Sequence, residues 1–128
     1  MAIYLLDTSV VIDALNRKRG RWQLLKALVE SGVTLACSAM TVVEIYAGLR
    51  PHESATTQAF LDGLEHYVVD RELGRYAGLL KNEWARLGRT LSAPDVVIAA
   101  TALVHKLVLM TDNRKDFPMP QLTLFPLP

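Results

Sequence analysis

Two short apolar runs each lead directly into an acid, and this limits the folds open to the chain. Ile3-Tyr4-Leu5-Leu6 stops at Asp7, and Leu107-Val108-Leu109-Met110 passes through Thr111 to Asp112. Runs this short without polar alternation predict strands buried on both faces, as in a parallel sheet covered by helices. A carboxylate at the end of such a strand loses solvation and must be hydrogen-bonded, protonated or matched by a cation. Acids in apolar surroundings recur at Glu44, inside Val42-Val43-Glu44-Ile45-Tyr46, and at Asp95, ahead of Val96-Val97-Ile98-Ala99-Ala100. With Asp116 close behind Asp112, they point to one shared acidic pocket and hence to a metal site.

The pattern along the chain alternates strands with helices. Strands are expected at Ile3–Leu6, 33–37 and 107–110, with a short extended piece at 67–69 and an edge strand at 122–125 between prolines. Helices are expected over Thr8–Leu15, 22–29, 39–49, 57–64, 73–87 and 94–105, the fifth ending at Gly88. The segment 16–21 reads as a basic connection. This order predicts one α/β domain over residues 1–128, with a mostly parallel central sheet and helices on both faces in three layers. Its site should lie beyond the carboxyl ends of the strands.

The 128 residues are 51% hydrophobic and 21% charged, which argues against disorder, and no apolar run approaches a membrane span. The single cysteine, Cys37, lies in an apolar stretch and reads as a buried small hydrophobe. One cysteine and no leader-like start fit a reducing cytosol. A formal net charge of +1 announces no polyanion partner.

Each acid also has a plainer role. Asp7 could cap the following helix, and Ser92-Ala93-Pro94-Asp95 fits a capping box. Asp112 and Asp116 could belong to an ordinary polar loop. Glu44 has few polar neighbours to place it on a solvated surface. Together, the acids suit a hard cation such as Mg2+, which takes oxygen ligands and keeps several waters. His52, His66 and His105 are scattered, and neither a Gly-rich phosphate loop nor a serine-nucleophile motif is present.

Four stretches resemble the PIN domain, and more narrowly its VapC-type toxins. They are Leu5-Leu6-Asp7-Thr8-Ser9-Val10-Val11-Ile12-Asp13, Thr41 through Arg50 around Glu44, Pro94 through Ala102 around Asp95, and Leu109-Met110-Thr111-Asp112-Asn113-Arg114-Lys115-Asp116-Phe117. They occur in the family's order and span nearly the whole chain. The resemblance implies a PIN-like ribonuclease fold and a pocket binding Mg2+ or Mn2+. It carries Asp7, Glu44 and Asp95 over as the first three acids, with Asp7 and Asp95 as main metal ligands. For the fourth it favours Asp116, with Asp112 as competitor. Ser9, Thr111 and Asn113 become polar support. It also implies an RNA substrate, a VapB-like antitoxin and a homodimer.

Phosphodiester hydrolysis also requires positive charge to hold the RNA. Arg17, Lys18, Arg19 and Arg21 form the densest basic run, with Trp22 beside it as a stacking ring; the same segment could be a solvated loop with Trp22 in the core. Two other functions stay open here. A haloacid-dehalogenase-type phosphatase would use Asp7 as nucleophile, but it wants an acid where Ser9 stands. A catalytically silent PIN-like binding module has no need to hold mutually repelling carboxylates.

Overall fold

The computed structural model describes residues 2–128. Its elements run β1 (Ile3–Leu6), α1 (Thr8–Leu15), α2 (Arg21–Glu30), β2 (Thr34–Ser38), α3 (Ala39–Ala47), a 3₁₀ turn (Pro51–Glu53), α4 (Ser54–Asp62) and β3 (Glu65–Tyr67). They continue with α5 (Arg71–Arg86), α6 (Ala93–His105), β4 (Val108–Met110), a second 3₁₀ turn (Arg114–Asp116) and β5 (Thr123–Leu124). The strands form one five-stranded sheet in the order β3-β2-β1-β4-β5, and all four pairings are parallel. The order turns back on itself at β1. The chain winds from β1 through β2 to β3 on one side, then crosses to β4 and β5 on the other. A crevice opens at such a switch point, outside the strands' carboxyl ends.

Alternation along the strands divides the core in two. Leu5, Ala36 and Leu109 face one side, where they pack with Leu73 and Ala77 of α5 and Val96 to Ala100 of α6. Leu6, Leu35, Cys37 and Met110 face the other and meet Val10, Val11 and Ala14 of α1, Leu25 of α2, Ile45 of α3 and Leu61 of α4. Helices therefore cover both faces, in agreement with the reading of the apolar strands. Among the described residues, no helix is long and apolar enough to cross a membrane.

Caps set several helix boundaries. The Ser38 hydroxyl accepts the Met40 N–H at 3.1 Å, Asp70 accepts from Leu73 at 2.9 Å, and Ser92 accepts from Asp95 at 3.2 Å. Helix α5 ends as its sequence predicts. Gly88 takes φ +87°, and the N–H groups of Gly88 and Arg89 return to the carbonyls of Ala85 and Trp84. Most boundaries fall within two residues of expectation, and α4 and β3 are displaced most. Helix α4 starts at Ser54, not Thr57, because the 3₁₀ turn ahead of it is closed by reciprocal bonds between Arg50 and Glu53. Strand β3 lies two residues early, where His66 registers with Cys37. The His66 Nε2 donates to the Leu61 carbonyl at 2.7 Å, which leaves Nδ1 to accept from the Cys37 thiol at 3.4 Å. Cys37 is fully buried, and burial pushes its thiol up to about 11.

Leu109 is fully enclosed at the centre of β4. Leu109→Ala should lower unfolding stability by about 2–5 kcal/mol, measured by urea titration, because the surrounding strands and α6 cannot collapse onto the void.

Candidate active site

Asp7 follows β1 directly, and its N–H bonds the Met110 carbonyl at 2.8 Å, which ties the ends of β1 and β4 together. Asp7 occupies the N-cap position of α1, yet its carboxylate makes no capping bond. It turns instead into the crevice, where it is 4% exposed. One of its oxygens, Oδ2, accepts from the Ser9 hydroxyl at 2.8 Å and the Thr111 hydroxyl at 2.7 Å. Both hydroxyls are themselves oriented by the turn after β4. Ser9 Oγ accepts the Asp112 N–H at 3.3 Å, and Thr111 Oγ1 accepts the Asn113 N–H at 2.9 Å. Each hydroxyl has a single proton, and these bonds aim it at Asp7. Burial pushes the Asp7 carboxyl above the usual range, and the bonds from Thr111 and Ser9 pull it partly back.

Glu44 lies one helical turn beyond Thr41 on α3. Its Oε1 accepts from the Thr8 hydroxyl at 2.7 Å, and that hydroxyl lies 3.1 Å from the hydroxyl of Thr41. Sequence reasoning does not single out Thr8 and Thr41 as functional supports. A signal for them was present, since Thr41 is three residues from Glu44 and shares its helix face.

Asp95 sits in the first turn of α6, its N–H capped by Ser92. Its carboxyl is held above the usual range, first by burial, with the Ser92 hydroxyl opposing, and then by repulsion from Asp7, Asp116 and Glu44. Asp95 therefore feels three other acids although the four come from the end of β1, α3, α6 and the 3₁₀ turn after β4. Among the described residues, no three His, Cys, Asp or Glu side chains draw together into a group that could hold a metal ion by themselves. The donor set nonetheless fits Mg2+ or Mn2+. It is all oxygen, repulsion within it calls for positive charge, and Mg2+ binds through one or two carboxylates with water filling its other positions.

Asp112 faces elsewhere. Its carboxylate receives Arg21 Nη2 at 2.7 Å and Nε at 3.2 Å, and the two side chains are only 5% and 3% exposed. Arg19 lies farther off, 3.9 Å from Asp112 and 3.7 Å from Asp13 on α1. Although burial acts to raise it, hydrogen bonding and charge from Arg21 leave the Asp112 carboxyl below its ordinary value. This corrects the expected basic run. Arg21 opens α2 as a buried ion-pair partner and leaves no guanidinium edge for an RNA phosphate. Arg17, Lys18 and Arg19 remain exposed in the loop. The Arg17 guanidinium lies 3.7 Å over the half-buried Trp22 ring, so one face of the proposed stacking surface is already covered.

Two stability predictions follow from these charges. Asp7 and Asp95 have folded-state values raised above 3.8, so the stability they contribute is fully present below that pH. It is lost as pH rises through the raised values. Metal-free protein should therefore lose stability across that window, and Asp7→Asn should flatten the loss and melt no lower than wild type near neutrality, as read by melting in chelator. Arg21→Ala should do the opposite, costing about 3 kcal/mol in urea titrations by leaving Asp112 buried without its counter-charge.

A family model described as PIN domain matches residues 4–118. Ribonuclease VapC19 of Mycobacterium tuberculosis is 32% identical over 115 residues, covering 90% of this chain and 92% of that protein. Ribonuclease VapC2 of Rickettsia felis is 27% identical over 120 residues, covering 90% of each. A chain of the Rickettsia felis VapBC2 crystal structure, bound to a promoter DNA fragment, is similar at a TM-score of 0.82 and 25% identity, covering 96% of this chain and 97% of that one. A chain of a toxin–antitoxin complex from Klebsiella pneumoniae is similar at a TM-score of 0.77 and 29% identity, covering 94% and 95%. This chain belongs to the PIN-domain family and is VapC-like.

Proposed function

We propose that this chain is a metal-dependent endoribonuclease and the toxin of a VapBC-type toxin–antitoxin pair. The observation that carries the reading is that Asp95 is repelled by Asp7, Glu44 and Asp116, acids that come from four separate segments of the chain. It is supported by likeness to proteins named as VapC ribonucleases. Asp7 and Asp95 are the main residues to hold a cation, with Glu44 and Asp116 binding it directly or through water. Bound there, Mg2+ or Mn2+ would supply Lewis acidity, activating water for in-line attack at phosphorus and offsetting charge on the leaving oxygen.

The protein's own part is positioning. Ser9 and Thr111 favour the ionised form of Asp7 against its burial and fix the direction of its carboxylate. Asn113 supports Thr111 through its backbone N–H, and Thr8 holds Glu44. Arg17, Lys18 and Arg19 form the proposed surface for the RNA backbone. The partner in the cytosol is a VapB-like antitoxin, a reading supported by likeness to chains of the Rickettsia and Klebsiella complexes. Self-association as a homodimer belongs to the same proposal. A phosphatase of the haloacid dehalogenase type is disfavoured, because Ser9 is bonded to Asp7 where that chemistry needs a second acid.

Purified protein should cleave RNA in Mg2+ or Mn2+ and stop in excess chelator, and Asp7→Asn or Asp95→Asn should nearly abolish cleavage while remaining folded. Cleavage undiminished by chelator would overturn the reading, and RNA binding without any cleavage would favour a silent module. Replacing Arg17, Lys18 and Arg19 with Ser should flatten the salt dependence of RNA binding, by about 0.7 in log–log slope for each single-strand phosphate that the loop no longer neutralises.

A further inference from the structure

We infer that the Arg21–Asp112 ion pair is a positioning clamp for Asp7, acting through the Ser9 and Thr111 hydroxyls, and that Asp112 is not itself a metal ligand. The inference rests on the metal-dependent reading above. Its starting point is that the buried Arg21 guanidinium is engaged through all three of its nitrogens. Besides Asp112, it donates from Nη1 to the Arg19 carbonyl and from Nη2 to the Pro128 carbonyl, both at 3.1 Å. Arg17, Arg19 and Gly20 all take left-handed backbone angles just ahead of it. The first two lack glycine's freedom there, so surrounding interactions must hold this loop in a costly shape. Asp112, in turn, has its charge matched by Arg21 and Arg19. A carboxylate matched in this way has little reason to turn toward a cation.

The clamp reaches the pocket through the backbone. Asp112 lies between Thr111, whose hydroxyl donates to Asp7, and Asn113, whose N–H orients that hydroxyl. The Asp112 N–H orients Ser9, the other donor to the same Asp7 oxygen. Fixing the Asp112 side chain against α2 therefore fixes the turn, the turn sets both hydroxyl protons, and the protons set the carboxylate. Outer-shell partners of this kind orient a ligand and tune its affinity without touching the cation. An ion pair that only joined α2 to the turn after β4 would stabilise the fold and leave the pocket unchanged.

Arg21→Lys keeps the charge but not the two-pronged geometry, while Asp112→Asn keeps the shape but leaves Arg21 without its main counter-charge, so melting is measured beside metal affinity to separate lost stability from lost positioning. The experiment measures Mn2+ affinity by calorimetry, RNA cleavage against Mg2+ concentration, and melting in chelator, for wild type, Arg21→Lys, Asp112→Asn, Ser9→Ala and the Ser9→Ala, Arg21→Lys double variant. Each clamp variant should weaken Mn2+ binding and raise the Mg2+ requirement by about tenfold or more. In the Ser9→Ala background the further loss from Arg21→Lys should be clearly smaller, because part of its path is gone. Losses that multiply to within about twofold would show independent sites and overturn the inference. A lowered melting temperature with unchanged Mn2+ affinity would make the pair a purely structural link. Abolished Mn2+ binding in Asp112→Asn, with Arg21→Lys unaffected, would make Asp112 a ligand. If wild type binds no Mn2+ and cleaves no RNA, the metal-dependent reading fails and this inference fails with it. Wild-type binding and cleavage with multiplicative losses would leave that reading intact and remove only the clamp.

Discussion

Burial of the Asp7 carboxylate governs the organisation of this molecule. A charge placed at the end of a strand that is enclosed on both faces must be compensated, and the chain supplies two hydroxyl donors to one oxygen. One comes from α1, two residues along, and the other from the end of β4, at the far end of the sequence. The donors are usable only if β1 and β4 are adjacent and in register, which the Asp7 N–H to Met110 bond and the parallel pairing of Leu6 with Met110 provide. Strand order, turn geometry and the ionisation of one acid are thus a single linked problem.

The same linkage explains why the pocket lies where it does. At the switch point, α1 leaves the end of β1 toward one face of the sheet while α6 packs on the other. Asp7 and Thr8 lead into the first helix, and Asp95 comes from the capped first turn of the second. Helix α3 starts immediately after β2 and brings Glu44 in from the side, where Thr8 meets it. Acids on four segments converge because their helices and turns start or pass at one edge of the sheet. The repulsion felt by Asp95 is the electrostatic consequence.

Charge is divided unevenly in this region. Asp112 and Asp13 lie with Arg19 and Arg21, and Arg21 withdraws Asp112 into a buried ion pair. Asp7 and Glu44, by contrast, are held by hydroxyls. Positive charge from Arg21 is committed inside the fold, so the surface loop ahead of it is left with Arg17, Lys18 and Arg19.

Much of this was written locally in the sequence. Apolar runs defined β1 and β4 to within a residue, Gly88 marked the end of α5, and Ser92 with Pro94 marked the start of α6. Asp7, Glu44 and Asp95 stood out because acids beside apolar residues are costly wherever the chain goes. Pairing Asp112 with Arg21 needed the folded chain, since four residues of one loop carry no record of which carboxylate meets a guanidinium 91 positions away. Arg21 likewise looked like one more member of a basic run, and its solvent exposure was decided only when α2 packed against the turn after β4. The pairing of His66 with Cys37 depended on strand register for the same reason. Sequence determined which segments bury their side chains and which acids would be expensive to bury. Tertiary structure decided which charges meet, because Coulomb and hydrogen-bond energies depend on distances of a few ångströms that only the closed sheet sets.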